Sequence, residues 1–481
     1  MYTIMAIYPP GEAYQRGEER CQIPIEFSVA NSIRACNDLG YICSVLKGKY
    51  NCVLRDYQGE ELSIDNLTND IKINNPDVVF ISTTNGTIYK DIEVIKKIKN
   101  VKKDTAIIIK GALFFNPDKS LFENLDLSDI DYLIGGEVEF LIDKLLNAHF
   151  FDKNLLTEIE GISYKKDNVW HTNKMTNFQD NFDDLPFPDR DLMKNELYIN
   201  PETNKPMALI TTSKGCCFSC KYCLSPVISG RKVRHRSAES IFAEIKDCVQ
   251  NHNITEFFLK SDTFTTDKNN VLKLCELIKN EHYDKKINWV ATSRVDTIDE
   301  EMIKNMKESG CSLLAIGFES GNNDTLSKIG KNTTVEQNLN AVKLCKKYKI
   351  KILGYFLIGF PWESEKEIMQ TEKHILDIDA DYVEVSVVVP YIGTQIYSNL
   401  LKNGKNIDLR DVLGKDSYKN VYENFSNIST ESLQKYRNRI LLKFYLRPKY
   451  IFNKLSSVKN TFALKNYVKY GLKMLKNIFV K

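Results

Sequence analysis

Cys216, Cys220 and Cys223 stand in the run Ser213-Lys214-Gly215-Cys216-Cys217-Phe218-Ser219-Cys220-Lys221-Tyr222-Cys223, a CxxxCxxC pattern with an aromatic residue before the last thiol. Three thiolates this close together can hold three irons of a four-iron–four-sulfur cluster and leave the fourth iron open to a small molecule. A structural zinc site would need a fourth Cys or His at regular spacing. The nearest histidine, His235, lies beyond a basic segment. The run therefore reads as a reaction centre with Cys216, Cys220 and Cys223 as metal ligands. Cys217 falls outside the spacing and is not counted.

Composition fits an intracellular enzyme. The chain has 481 residues, enough for two to three domains. Its cysteines are scattered without a paired framework, which argues against secretion. The start, Met1 to Pro10, has no basic region and no cleavage site, so a signal peptide is not expected. No apolar run is long enough to span a bilayer. Net charge is +3, so whole-chain charge points to no class of partner.

Such a loop must be held by a scaffold, and two alternating patterns supply one. Residues 1–147 read as strands Ile4–Tyr8, Cys52–Arg55, Asp77–Ser82, Ala106–Ile109 and Tyr132–Ile134 with helices Ser28–Leu46 and Ile88–Ile98 between them. The continuous apolar strands predict a doubly wound parallel sheet with both faces covered. Ligands bind at the carboxyl ends of such strands. Those ends here are Pro9-Pro10-Gly11, Ser82-Thr83-Thr84, Lys110-Gly111-Ala112 and Gly135-Gly136-Glu137. Residues 148–200 read as a linker, with a hairpin over Ile162–His171 turning at Asp167-Asn168 and a proline-punctuated segment from Leu185. Residues 201–400 alternate again as a partial (β/α) barrel whose strands end near Thr211, Lys260, Thr292, Gly317, Ile358 and Val389. The cysteine loop follows the first of them, at the end where barrels carry active sites. Residues 401–481 read as a helical, basic C-terminal region.

The cysteine run resembles the defining motif of the radical S-adenosylmethionine (SAM) enzymes. Later segments match that family in order: Lys260-Ser261-Asp262-Thr263-Phe264, Ser293-Arg294-Val295-Asp296, Gly317-Phe318-Glu319-Ser320-Gly321 and Gly354–Pro361. The resemblance implies that the open iron chelates the amine and carboxylate of SAM and that one electron releases a 5′-deoxyadenosyl radical. It implies SAM contacts at Ser261 and Asp262 near the methionine amine, and at Ser293 and Arg294, with Arg294 pairing with the carboxylate. Glu319 would serve the ribose, Ile358 and Gly359 the adenine slot, and Tyr222 would be an aromatic shield. With the first sheet ahead of it, the chain resembles the cobalamin-dependent branch. Cobalamin contacts are then expected at Ser82, Thr83, Gly111, Gly135, Gly136 and Glu137. Many cobalamin domains carry DxHxxG; this chain has Asp56-Tyr57-Gln58-Gly59 and no histidine before His149, as in the branch where no histidine ligates cobalt. Cys21, Cys36, Cys43 and Cys52 raise the rival of a methylthiotransferase with a second cluster. Cys36 and Cys43, two turns apart on one helix, read instead as small core residues.

The resemblance implies a C-methyltransferase acting on an unactivated carbon. The alternatives are a radical cyclase or rearrangement enzyme of the same architecture, a methylthiotransferase, or a cluster carrier. A carrier needs no nucleoside pocket. Expected partners are a small-molecule or lipid-like substrate and an electron donor such as flavodoxin or ferredoxin. After Glu431 no acidic residue follows, while Lys and Arg recur among aromatic and aliphatic residues. On a helical wheel Tyr467, Tyr470, Met474, Leu475 and Ile478 share one face, and Lys465, Lys469, Lys473 and Lys476 the other. That pattern predicts peripheral contact with anionic lipid, so the expected location is cytoplasmic, at the inner membrane surface. No nucleic-acid-binding module accompanies the basic tail.

Overall fold

The computed structural model describes residues 1–16, 24–25, 33–117, 119–405, 407, 413, 424–456, 464–469 and 471–472. Two sheets organise them. The first contains β1 (Thr3–Tyr8), β2 (Asn51–Asp56), β3 (Val78–Ser82), β4 (Ala106–Lys110), β5 (Tyr132–Ile134), β6 (Ile162–Lys166) and β7 (Val169–Asn173), in the order β2-β1-β3-β4-β5-β6-β7. The pairs among β1 to β5 are parallel. Every residue of β3 and β4 is buried, as their unbroken apolar sequences require. Helices α1 (Asn37–Leu46) and α5 (Val138–Phe150) cover one face. Helices α2 (Ile64–Asn74) and α3 (Ile88–Val101) cover the other, and a short α4 spans Lys119–Asn124.

Two differences from the sequence reading follow from local chemistry. Asp167 and Asn168 both take left-handed angles (φ 52° and 59°), the two-residue turn that matches strand twist. The resulting hairpin pairs antiparallel with β5 and extends the first sheet through Asn173, so part of 148–200 is sheet rather than linker. Helix α1 starts at Asn37, not Ser28. Residues 28–32 lie outside the described residues, and 33–36 are not helical. The apolar period continues there because Ile33, Ala35 and Cys36 pack into the first core as irregular chain.

The second sheet has six parallel strands in sequential order: β8 (Met207–Thr211), β9 (Glu256–Lys260), β10 (Asn288–Ser293), β11 (Cys311–Glu319), β12 (Lys351–Ile358) and β13 (Tyr382–Val387). It curves without closing: β8 and β13 are its edges. The short helix α6 (Ser225–Ile228) follows the cysteine loop. Outside the sheet lie α7 (Ala238–His252), α8 (Lys268–Asn280), α9 (Glu300–Glu308), α10 (Asn323–Lys328), α11 (Val335–Lys347) and α12 (Glu365–Ile378). Ser237, Asp267, Asp299 and Thr334 cap four of them by accepting a backbone N–H of the first turn, which fixes where each helix begins. Helix α13 (Gln395–Lys402) precedes α14 (Thr430–Tyr445), whose Leu433, Ile440 and Phe444 join the second core, and α15 (Pro448–Ser456). Leu209 and Phe258, pointing inward from β8 and β9, pack in the same cluster as α1 and α5, so the open side of the second sheet is joined to the first. Among the described residues no helix is long and apolar enough to cross a membrane.

Candidate active site at the mouth of the second sheet

The carboxyl ends of β8 to β13 and the loops beyond them line a cavity of about 250 Å³. Cys216, Cys220 and Cys223 all line it, while Cys217 is exposed. The loop can present them because Gly215 takes φ +87°; a Cβ there would stand 2.1 Å from the Lys232 carbonyl oxygen. The Cys223 N–H donates to the Cys220 carbonyl, closing the last turn of the loop. Burial pushes the Cys216 thiol up to about 12 and raises Cys223 as well. Buried in this way, the Cys216 and Cys223 thiols stay protonated until a metal replaces the proton.

Four polar residues expected from the sequence line the same cavity: Asp262, Ser293, Arg294 and Glu319. Arg294 is largely committed to its own chain. Its Nε and Nη2 donate to the Asp296 carboxylate at 2.9 and 2.8 Å, and Nη2 also donates to the Lys331 carbonyl. Its plane lies 3.6 Å from the Phe218 ring centroid, and Nη1 donates to Cys220 Sγ at 3.5 Å. Burial opposes the guanidinium charge, but the bonds to Asp296 outweigh it and raise the pKa. Glu319 is held at φ +66°, where the register of β11 against β12 shifts. A non-glycine residue there is strained, and such strain gathers at functional sites. Its carboxylate accepts from Lys331 Nζ at 2.7 Å. Tyr222 also lines the cavity, hydrogen-bonded to Glu319; burial, then the Glu319 charge, raise its phenol well above the usual value.

Three other expected SAM contacts do not line the cavity. Ser261 is buried, its hydroxyl 3.3 Å from that of Thr292. Ile358 is a fully buried member of the second core. Gly359 donates its N–H to Glu363, and a Cβ there would meet Leu433 of α14 at 2.8 Å. The alternation of β12 decides this: Ile358 points outward, whereas Tyr355 and Leu357 point into the cavity. The sequence reading missed Lys331, Arg34 and Glu384, which complete the charged lining. None carries a motif signal. Lys331 follows a short helix, Arg34 stacks 4.8 Å over Phe258 from the first half of the chain, and Glu384 is one residue of an ordinary strand.

At the first sheet the expected cobalamin contacts are mostly used by the chain itself. Thr83 donates to Asp91, which Arg16 grips with two bonds of 2.8 and 2.9 Å. A Cβ on Gly111 would meet Thr83, on Gly135 the Phe114 carbonyl at 2.2 Å, and on Gly136 the Met175 sulfur at 2.7 Å. Glu137 forms a buried ion pair with Arg234 at 2.6 Å. Ser82 differs: its hydroxyl is buried and has no partner among the described residues. The edge nevertheless reaches the cavity, since Ala112 packs with Leu224, a lining residue, and with Tyr391, another. Cys36 bonds the Tyr198 hydroxyl at 3.0 Å and Cys43 contacts Cys52, while Cys21 lies outside the described residues.

Residues 210–375 match the model of the Radical SAM superfamily. An uncharacterized methyltransferase of Pyrococcus horikoshii is 30% identical over 412 residues, which cover 85% of this chain and 88% of that protein. The anaerobic magnesium-protoporphyrin IX monomethyl ester cyclase of Rubrivivax gelatinosus is 26% identical over 75% of this chain and 65% of its own. In fold, the chain is similar to the radical SAM methyltransferase TsrM of Kitasatospora setae, solved with cobalamin and a [4Fe-4S] cluster bound. The TM-score is 0.67 at 15% identity, covering 84% of this chain and 75% of that one. The chain belongs to the radical SAM superfamily. It is a radical SAM enzyme with the two-sheet architecture of the cobalamin-dependent members.

Proposed function

We propose that this enzyme is a cobalamin-dependent C-methyltransferase acting on an unactivated carbon of a small molecule. The observation that carries the reading is spatial: three cluster-type thiols share one cavity with Glu319 and Arg294, and the edge of the first sheet abuts that cavity. Similarity to a methyltransferase over most of the chain supports the reaction class. The residues fit a cluster held by three ligands, because Cys216, Cys220 and Cys223 face one space and Cys217 does not. For cobalamin the fit rests on Ser82 and on the placement of the edge, since Thr83 and Glu137 are bonded within the chain and Gly111, Gly135 and Gly136 pack against it. When bound, the cluster supplies the electron that splits SAM, and cobalamin supplies a carrier for its methyl group.

The chain's own residues position and shield. Cys216, Cys220 and Cys223 hold the cluster. Glu319 accepts from the ribose hydroxyls of SAM, with Lys331 balancing its charge in a site of low polarity. Arg294 is fixed by Asp296 and Phe218 with Nη1 toward Cys220 Sγ, where it would meet the SAM carboxylate. Asp262 and Ser293 offer acceptors to the methionine amine. Leu357, Val387 and Val388 form an apolar wall that excludes water from the reacting centre. A flavodoxin- or ferredoxin-type protein supplies the electron. The enzyme works in the cytoplasm, and contact of its basic tail with the inner membrane surface suits a lipid-like substrate.

The test uses SAM with a deuterated methyl group in reduced, cobalamin-loaded protein and extracts of the source cells. A product heavier by one labelled methyl is expected. Formation of 5′-deoxyadenosine with an unlabelled product instead assigns the chain to the cyclase or rearrangement class.

A further inference from the structure

Among the described residues, the C-terminal helices leave an apolar surface uncovered. Nearly half of the large apolar side chains exposed among the described residues fall within 446–472. On α15 these are Ile451, Phe452 and Leu455, with Phe452 73% exposed. On the helical residues 464–469 and 471–472 they are Leu464, Val468 and Leu472. Scattered exposed apolar residues are ordinary, but a concentration on adjacent helices marks an interaction surface. The two segments are adjacent. Lys454 of α15 points inward, its Nζ 3.7 Å from the Tyr382 ring centroid and 5.9 Å from that of Tyr467. The Tyr467 hydroxyl lies 3.3 Å from that of Tyr382, and Asn466 donates to the Pro201 carbonyl.

These contacts also correct the helical wheel. Tyr467 faces the protein, so it is not part of an apolar membrane face. The outward side instead interleaves Leu464, Val468 and Leu472 with the exposed Lys465 and Lys469. Tyr470 and residues 473–481 of that wheel lie outside the described residues. On the neighbouring helix the Lys449 side chain is 75% exposed beside Ile451 and Phe452, with its Nζ 3.2 Å from the Asp379 carboxylate.

We propose that this surface, built by α15 and residues 464–469 and 471–472, docks on an anionic phospholipid leaflet. Charge complementarity selects that occupant. No acidic residue follows Glu431, and Lys465 and Lys469 border the apolar side chains. A second copy would bring the same basic rim against this one, and like charges would repel. Phe452, Leu455 and Leu472 enter the acyl boundary while the lysines stay at the headgroups, the arrangement of an interfacial helix. The inference deepens the location reading above and does not depend on methyl transfer.

The experiment is sedimentation of the full chain with vesicles rich in phosphatidylglycerol and with pure phosphatidylcholine vesicles. Two double variants accompany it, Phe452→Asp with Leu455→Asp and Lys465→Glu with Lys469→Glu. SAM cleavage under reducing conditions is measured on the same samples. The wild-type chain is expected to sediment with anionic vesicles only, and less so at high salt. Each double variant should bind at least roughly tenfold more weakly, since each basic residue near the surface is worth about fivefold. SAM cleavage should persist in both, because the altered residues lie outside the cavity; its persistence separates failure of docking from failure of the enzymatic reading. Equal sedimentation of variants and wild type overturns the proposal, as does equal sedimentation with the neutral vesicles. A wild-type dimer that Phe452→Asp with Leu455→Asp dissociates, without vesicle binding, assigns the surface to a second copy instead.

Discussion

The carboxyl edges of the two sheets start from similar sequence material and end differently. Both carry small, hydroxyl-bearing and charged residues after apolar strands. At the first sheet the chain closes most of that edge on itself: Asp91 is gripped by Arg16, Glu137 by Arg234, and Gly135 lies against Phe114. At the second sheet the corresponding residues converge on a cavity, because six strands curve without closing and leave the lumen open. Strand-end chemistry alone therefore does not define a site. A site appears where the packing leaves such residues, even when ion-paired as Glu319 is with Lys331, turned toward open space.

The largest effect tests the open edge. Cys220→Ala should abolish the brown cluster absorbance of reconstituted protein and SAM cleavage with it, while Cys217→Ala keeps both. Full iron content in Cys220→Ala would remove the basis for setting the second edge apart. The closed edge is tested by Arg234→Met, which strands Glu137 in the interior. Loss of one partner of a buried pair costs about 3–5 kcal/mol, read as a lower denaturation midpoint. An unchanged midpoint would mean that the first edge is not closed by that pair.

Behind the second sheet, His374 of α12 is 4% exposed and its ring lies 3.1 Å from the Asn338 amide. Burial depresses its pKa to about 4, below the ordinary value of 6.5. The folded state thus holds the neutral ring, while the unfolded chain takes up a proton below pH 6.5. Its contribution to stability is present above pH 6.5 and is lost as pH falls toward 4, by up to about 1.4 kcal/mol per pH unit. His374→Phe should flatten that part of the stability–pH curve; an unaltered slope would place the titrating group elsewhere. The smallest effect refines the open edge. Tyr222→Phe removes the hydroxyl bonded to Glu319, worth about 1 kcal/mol. The KM for SAM should rise about fivefold with cluster content intact, whereas a change confined to cluster content would make Tyr222 a structural partner of the loop.

Much was legible in the chain because the information is contiguous. The three cysteines lie within eight residues of one loop, and their spacing alone sets how near their thiols can come. Strands such as Val78–Ser82 and Ala106–Lys110 declare themselves by lacking a polar face. Those features are local, and local physics determines them.

Tertiary structure decided the rest. Lys331 and Arg34 reach the cavity through backbone paths that no spacing rule describes, and Glu384 does so because β13 turns that face inward. Ile358 went the other way for the same reason: on a strand, one residue of register separates the lumen from the core. Whether Arg294 meets a ligand or its neighbour Asp296, and whether Glu137 faces a cofactor or Arg234, depends on which opposite charge the packing brings within reach. The sequence by itself determined that a loop of three closely spaced thiols rides on an alternating β/α chain. Only the three-dimensional arrangement decided which strand ends stay open, because closing an edge takes a partner from a distant part of the chain.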